Sequence, residues 1–219
     1  MSDSITDDPQ EIIRRANIVY FRSQVYETTN WMGVRTAKCP MDLWIYQEMM
    51  SQLKTDLLIE TGTLLGGSAL FFANMFDMMG RGKVISVDIE EHPQRPVHPR
   101  IEYLHGSSVS QPVLDQVSNA ASSASSVLVV LDSDHKAEYK LRELNAYCSF
   151  VTPGSYIVAE DSGFDYYPTW PEFGPGPATA INQFLTVNES FEMIREWERH
   201  MITFSPGGYL RRKDDAVQD

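Results

Sequence analysis

Apolar positions along this chain fall into two alternating patterns. Short continuous runs at 56–60, 83–88, 101–105, 127–131 and 155–159 have the length and branched-residue content of buried strands. Around them lie stretches with helical spacing. The first covers 9–27, where Ile12, Ile13, Ala16, Val19 and Tyr20 recur among charged neighbours. Others cover 42–53 with Asp42 as the expected N-cap, 66–79 opened by Gly66-Gly67-Ser68, 136–150 and 178–185. Strands alternating with helices imply right-handed crossovers, hence an α/β fold with a mostly parallel, doubly wound sheet. Two β-like runs at 191–197 and 201–210 predict an antiparallel C-terminal hairpin at the sheet edge. Residues 31–40 read as a loop, and the Pro-, Gly- and aromatic-rich 164–177 as an ordered loop over the strand ends. One domain over 1–219 is expected, with residues 1–54 as its N-terminal helical cover.

Polar residues gather where the runs end. Glu60-Thr61-Gly62 closes the first, Asp88 the second, Asp132 the fourth with His135 just after, and Glu160-Asp161 the fifth. In a parallel sheet these ends share one edge, the edge where ligands bind. The turn from Gly62 and Thr63 to Gly66, Gly67 and Ser68 lets a ligand approach backbone and a helix N-terminus closely. Asp88 at the next strand end suits two ribose hydroxyls. Leu64 stands where a dinucleotide turn needs its middle glycine, and Glu60 is awkward beside a pyrophosphate, so a nicotinamide cofactor is disfavoured. The stretch Glu60-Thr61-Gly62-Thr63-Leu64-Leu65-Gly66-Gly67-Ser68 instead looks like the first motif of class I methyltransferases, whose cofactor carries no phosphate.

Asp132, Glu160 and Asp161 supply three oxygen donors from adjacent strand tips, a set that suits Mg²⁺. Nothing in the chain has zinc-ligand spacing. His135 or Asp134 stands beside them as the candidate base.

Composition narrows the partners. With 18 basic against 30 acidic residues and a formal charge of −12, a nucleic-acid partner is not expected. Cys39 and Cys148 show no pair spacing, which fits a reducing cytoplasm. The stretch 64–79 is too short and interrupted for a membrane span. Oligomeric state, a homo-oligomer included, stays open.

The stretches Leu131-Asp132-Ser133-Asp134-His135, Ile157-Val158-Ala159-Glu160-Asp161 and Ser205-Pro206-Gly207-Gly208-Tyr209-Leu210 resemble the cephalosporin-hydroxylase-type family of class I S-adenosylmethionine-dependent methyltransferases. Trp31-x-Gly33, Lys38-Cys39-Pro40-x-Asp42 and Gly66-Gly67-Ser68 add to the likeness, which covers roughly 20–212. The resemblance implies a Rossmann-like fold and metal-dependent O-methylation of a sugar or glycoside, as in macrolide-sugar, rhamnosyl and mycobacterial methylmannose-polysaccharide relatives. It also implies Mg²⁺ on Asp132, Glu160 and Asp161, with His135 as base. S-adenosylmethionine would then lie against Glu60, Gly62, Thr63, Gly67, Ser68, Asp88, Ser107 and Asp132. Ser107 is placed there because the chain reads Gly106-Ser107-Ser108 where many class I methyltransferases carry an acid. Tyr166, Tyr167 and Trp170 are expected to stack on the sugar. Other readings are methylation of an antibiotic nucleus or catechol, and a non-catalytic S-adenosylmethionine-binding partner of an oxygenase.

Overall fold

The computed structural model describes residues 8–167 and 174–214. Its centre is a seven-stranded sheet in the order β5-β4-β3-β6-β7-β9-β8. The strands are β3 (Leu57–Thr61), β4 (Lys83–Asp88), β5 (Ile101–His105), β6 (Val127–Leu131), β7 (Tyr156–Ala159), β8 (Phe191–Met193) and β9 (Tyr209–Arg212). Strands β3 to β7 pair in parallel, while β9 pairs antiparallel with both β7 and β8.

Alternation along the strands builds two cores. Leu57, Ile59, Val127, Val129 and Leu131 face one side, and Leu58, Leu128 and Val130 face the other. The first side is covered by α4 (Gln111–Ala121), α5 (Ala137–Tyr147) and α7 (Pro177–Val187), through Val117, Leu144 and Phe184. The second is covered by α2 (Pro40–Leu53) and α3 (Gly67–Met79), through Met49, Phe72 and Phe76. This is the doubly wound arrangement that continuous apolar runs require, since both faces of each strand are buried. Among the described residues, no helix is long and apolar enough to cross a membrane.

Several local expectations are corrected. The N-terminal helix α1 (Pro9–Ser23) stops short of the expected 27: Gln24 turns left-handed, and a 3-10 turn over Val25–Thr28 follows. Residues 31–40 are not wholly loop: β1 (Asn30–Trp31) and β2 (Val34–Arg35) form a small antiparallel ribbon. Asp42 does not cap α2. The cap position is Cys39 with Pro40 opening the helix, and Asp42 is buried in the first turn. There its carboxylate accepts from the Phe204 amide at 2.9 Å and the Tyr209 hydroxyl at 3.1 Å.

Helix α4 has no counterpart in the sequence-based expectations; only Val113 and Val117 of it are fully buried. The C-terminal pair is antiparallel at the sheet edge, as expected, but its strands are shorter than the runs suggested. A long connection with a 3-10 turn at Glu196–Glu198 separates them, and β9 inserts between β7 and β8. Within 164–177, Gly163–Tyr166 forms a helical turn, α6.

Candidate active site

The strand tips are drawn together by hydrogen bonds that run the ladder past the strand ends. Gly62 donates to the Val87 carbonyl at 2.8 Å, Asp132 to Thr61 at 2.9 Å, Glu160 to Leu131 at 3.0 Å and Gly106 to Asp88 at 2.8 Å. Gly62 is required here. It sits at φ +86°, and a Cβ on it would lie 1.9 Å from the Asp132 carbonyl oxygen. A cleft of about 910 Å³ opens along these tips. Gly62, Thr63, Ser68, Asp88, Ser107, Asp132, Asp134, His135 and Asp161 all line it.

Two expected cofactor residues lie elsewhere. Glu60 is fully buried under the turn, where its Oε2 accepts from Ser86 at 2.7 Å and Ser86 meets Thr63 at 2.7 Å. Burial pushes its carboxyl up, against the pull of Lys38. Gly67 is packed against β2, where a Cβ would fall 2.3 Å from the Arg35 carbonyl. Both shape the cradle from behind it. Asp88 is on the wall but already engaged. Its Oδ2 accepts from the Leu64 amide at 2.8 Å and Arg95 at 2.9 Å, its Oδ1 from the Glu90 amide at 2.9 Å. A carboxylate has about four lone-pair directions, so it has room for about one ribose hydroxyl rather than two.

On the acidic side the decisive residue is Lys38, which sequence reasoning quoted in a motif but gave no role. Only 3% exposed, its ammonium lies 2.7 Å from Asp132 Oδ2 and 2.7 Å from Glu160 Oε2. The Tyr46 hydroxyl donates to the other Glu160 oxygen. Glu160 is thus turned toward α2, while one ligand atom each from Asp132, His135 and Asp161 fall within 4.8 Å of one another. His135 Nδ1 is 3.3 Å from Asp161 Oδ2, and its ring lies 5.1 Å from that of Phe164. Asp134 is exposed and caps its own turn, accepting from the Lys136 amide at 2.7 Å.

The charge balance leaves a deficit of cation. Burial pulls Lys38 down, yet Asp132, Glu160 and Glu60 lift it well above the ordinary lysine value. Burial alone would raise Asp132, but Lys38 overrides it and holds this acid low. The other two are not relieved. Burial and then the Asp132 charge push Glu160 up to about 8, and burial with Asp132 and Glu160 pushes Asp161 well up. One ammonium among three carboxylates is not enough. Burial also outweighs Asp132 at His135 and holds the imidazole below its ordinary value.

The far wall is aromatic. Phe21, Tyr26, Phe164 and Phe204 line the cleft and pack edge to face, Phe21 5.2 Å from Phe164 and Tyr26 4.9 Å from Phe204. Arg35 and Glu27 form an ion pair on the same wall. Tyr166 and Tyr167 are not among the lining residues. Trp170 lies outside the described residues. The aromatic wall was legible only in part, because Phe21 and Tyr26 come from the N-terminal cover and Phe204 from the C-terminal connection.

An open parallel sheet with an antiparallel strand inserted near one edge, and a cleft across its tips, is the architecture of a Rossmann-like methyltransferase. Solved structures share it at identities that speak for fold alone. CmcI with Mg and SAM aligns at TM-score 0.65 and 18% identity, over 85% of this chain and 77% of that one. MycE methyltransferase from the mycinamycin biosynthetic pathway, in complex with Mg, SAH and mycinamycin VI, aligns at TM-score 0.58 and 16% identity, over 80% of this chain and 50% of its own.

The model of the family described as Rhamnosyl O-methyltransferase/CmcI matches residues 23–213, and the chain belongs to that family. Rhamnosyl O-methyltransferase of Mycobacterium leprae is 34% identical over 201 residues, 89% of this chain and 87% of the relative. The Mycobacterium tuberculosis protein of the same name is 34% identical over 200 residues, 88% of this chain and 82% of the relative. The chain is an O-methyltransferase by this membership.

Proposed function

We propose that the enzyme moves the methyl group of S-adenosylmethionine to a hydroxyl of a sugar or glycoside, with a divalent, oxygen-liganded cation such as Mg²⁺ at the acidic tips. The observation that carries this reading is the cation deficit: two carboxylates on the wall of a cofactor-sized cleft, with Glu160 buried behind them, crowd one ammonium. The names of the relatives and the aromatic wall support a glycoside as acceptor, since aromatic faces pack well on the apolar faces of sugar rings.

The residues present fit both groups. For the cofactor, the cleft is about 910 Å³ and runs from Ser107 and Asp88 to Asp132 and Asp161. The helix α3 opens at Gly66 without a side-chain cap, which leaves first-turn amides for a carboxylate. For the cation, Asp132 and Asp161 are hard oxygen donors already held together, with Glu160 behind them. When bound, the sulfonium supplies the methyl group, and a divalent ion lowers the pKa of a coordinated hydroxyl.

The chain's own residues do the rest. Asp132 and Asp161 hold the acceptor end of the cleft, and Lys38 with Tyr46 fixes Glu160 so that the tips of β6 and β7 keep their spacing. His135, kept neutral by burial, accepts the hydroxyl proton as methyl transfer proceeds. Phe164 packs against its ring and limits its orientation. The test is transfer of label from S-adenosylmethionine to a panel of rhamnosides and other glycosides, with and without Mg²⁺. Labelling of a glycoside only when metal is present is the expected result. Labelling of a catechol but of no sugar would overturn the acceptor class.

A further inference from the structure

The aromatic wall of the cleft is held in place from outside it. Phe204 is the hub, with ring centroids 5.0 Å from Phe21, 4.9 Å from Tyr26 and 5.8 Å from Tyr20. The segment that carries it, Met201 to Pro206, belongs to no helix or strand. Its buried backbone groups must therefore find partners elsewhere. Two helices supply them through side chains. Asn17 of α1 donates to the Met201 carbonyl at 2.8 Å and accepts from the Thr203 amide at 3.1 Å. Asp42 of α2 accepts from the Phe204 amide at 2.9 Å. The Gly163 amide, one residue ahead of Phe164, donates to the Phe204 carbonyl at 3.0 Å.

The composition of α1 points the same way. Of its fifteen residues only Asn17 and Phe21 are buried, while Ile12 and Val19 stay exposed. A helix docked for its apolar surface would turn Ile12 and Val19 inward. This one buries a ring of the cleft wall and an amide. A buried amide is costly unless it is paired, and the other N–H of Asn17 is bonded to the Ile13 carbonyl at 2.9 Å. Such a group accepts one register. A slip of one residue along 201–204 would set its donor and acceptor against the wrong partners.

We propose that Asn17, together with Asp42, is a positioning residue for acceptor binding, clamping the 201–204 segment so that Phe204 holds the wall on which the sugar packs. The inference rests on the glycoside reading above and deepens it, placing the control of acceptor fit on α1, outside the cleft. Neither Asn17 nor Asp42 is among the lining residues. The bonds of Asn17 run to Ile13, Met201 and Thr203, away from the turn at Gly62 and from the acidic tips. Its loss should reach the acceptor and spare the cofactor.

The experiment pairs kinetics on p-nitrophenyl α-L-rhamnoside, or on the panel glycoside that labels best, with calorimetric binding of S-adenosylhomocysteine and hydrogen exchange. Asn17→Ala should raise KM for the acceptor about ten- to a hundredfold, the scale on which small displacements of a positioning group act. Turnover should stay within a few-fold and S-adenosylhomocysteine affinity within about twofold, the pattern of binding lost equally from ground and transition states. Amides of the peptide covering 201–206 should exchange faster, and those of β6 and β7 at the wild-type rate. Asp42→Asn can still accept from one of its two donors, Phe204 or Tyr209, and should give a smaller rise in KM. It decides the matter if Asn17→Ala does not fold. Ile12→Ala, on the exposed face of the same helix, should change neither KM nor exchange. A folded Asn17→Ala protein with a lowered melting temperature and unchanged KM overturns the clamp, leaving α1 a structural cover. An equal loss of acceptor and cofactor affinity overturns it too. A wild type that methylates no glycoside removes the acceptor reading and the clamp with it.

Discussion

The two ends of the cleft settle their charges differently. At the β4 and β5 tips, Asp88 is neutralised by Arg95 and by two backbone amides, and Ser108 donates to a buried Glu143 that faces Lys140. At the β6 and β7 tips, Lys38 is the one ammonium among the described residues that ion-pairs with these acids, touching Asp132 and Glu160, and two of the three acids are pushed well above ordinary carboxyl values by burial and by one another. The first end is balanced in charge as it stands and suits a ligand that is recognised but not altered. The second is incomplete without more positive charge. Recognition can be built from satisfied hydrogen bonds, whereas this chemistry is set up by leaving repulsion unsatisfied.

The largest expected effect separates the ends outright. Chelation should bring methyl transfer to background and Mg²⁺ should restore it, while calorimetry shows S-adenosylhomocysteine binding little changed by either treatment. Full turnover in a metal-stripped sample would mean that Lys38 alone suffices for the three acids.

Next in size is the proton acceptor. His135→Ala should lower turnover about 10²–10⁴-fold, the usual worth of a positioned base. Mg²⁺ affinity should hold, since Asp132 and Asp161 keep the oxygen donors. A matching loss of metal affinity would make His135 a ligand, as its grouping with these two acids allows, and would pass the base role to Asp134.

Lys38→Met asks what the resident cation does for folding. Removing one member of a buried ion pair typically costs about 3–5 kcal/mol, because the partner charge is left unpaired. The metal-free variant should lose stability on that scale in denaturant melts, and Mg²⁺ should recover part of it. A variant as stable as wild type would mean that protons, rather than Lys38, already neutralise the acids.

The pH response follows with its sign. Glu160 is raised from about 4.5 to about 8 in the folded protein. Over that window the unfolded chain has released this proton and the folded one retains it, so this group's contribution to stability falls as pH rises, and the decline stands clear above about 6.5, where the lowered His135 no longer opposes it. The slope is at most about 1.4 kcal/mol per pH unit. Asp161, also raised, contributes with the same sign. Lys38, raised well above its ordinary value, contributes a term that stays constant here. Thermal melts of metal-free protein should show the decline, and Glu160→Gln should flatten it. A melting temperature that climbs with pH above about 6.5 would contradict the crowding at the β6 and β7 tips.

How far the sequence foretold this arrangement depended on whether one segment or several had to speak. Runs such as Val127–Leu131 are buried on both faces, so their apolar continuity marks them unambiguously. Asp88, Asp132 and Asp161 could be placed because strand ends in a parallel sheet share an edge. Helix α4 escaped because only Val113 and Val117 of it are fully buried and it then runs into serines. The parallel connection from His105 to Val127 demanded a crossover, and topology could have supplied it. Lys38 escaped for another reason. Its partners are 94 and 122 residues away, and local pattern gives no sign that a lysine will be buried. The excess of acids at the strand tips is the signal it leaves, and a bound metal accounts for that excess equally well.

The smallest expected effect concerns the aromatic contacts. The sequence places Tyr166 on the sugar, but it is 41% exposed and lies off the cleft wall. Phe21, Tyr26, Phe164 and Phe204 hold the wall instead. Tyr166→Ala should therefore change KM for the acceptor and turnover by no more than about twofold, the range of a surface substitution worth about 0.5 kcal/mol. Steady-state kinetics on the best glycoside found would measure it. A tenfold or larger rise in KM with turnover unchanged would show uniform binding lost from the acceptor. Tyr166 would then swing toward the cleft when a sugar is present, and the aromatic wall would extend beyond the four residues that form it here.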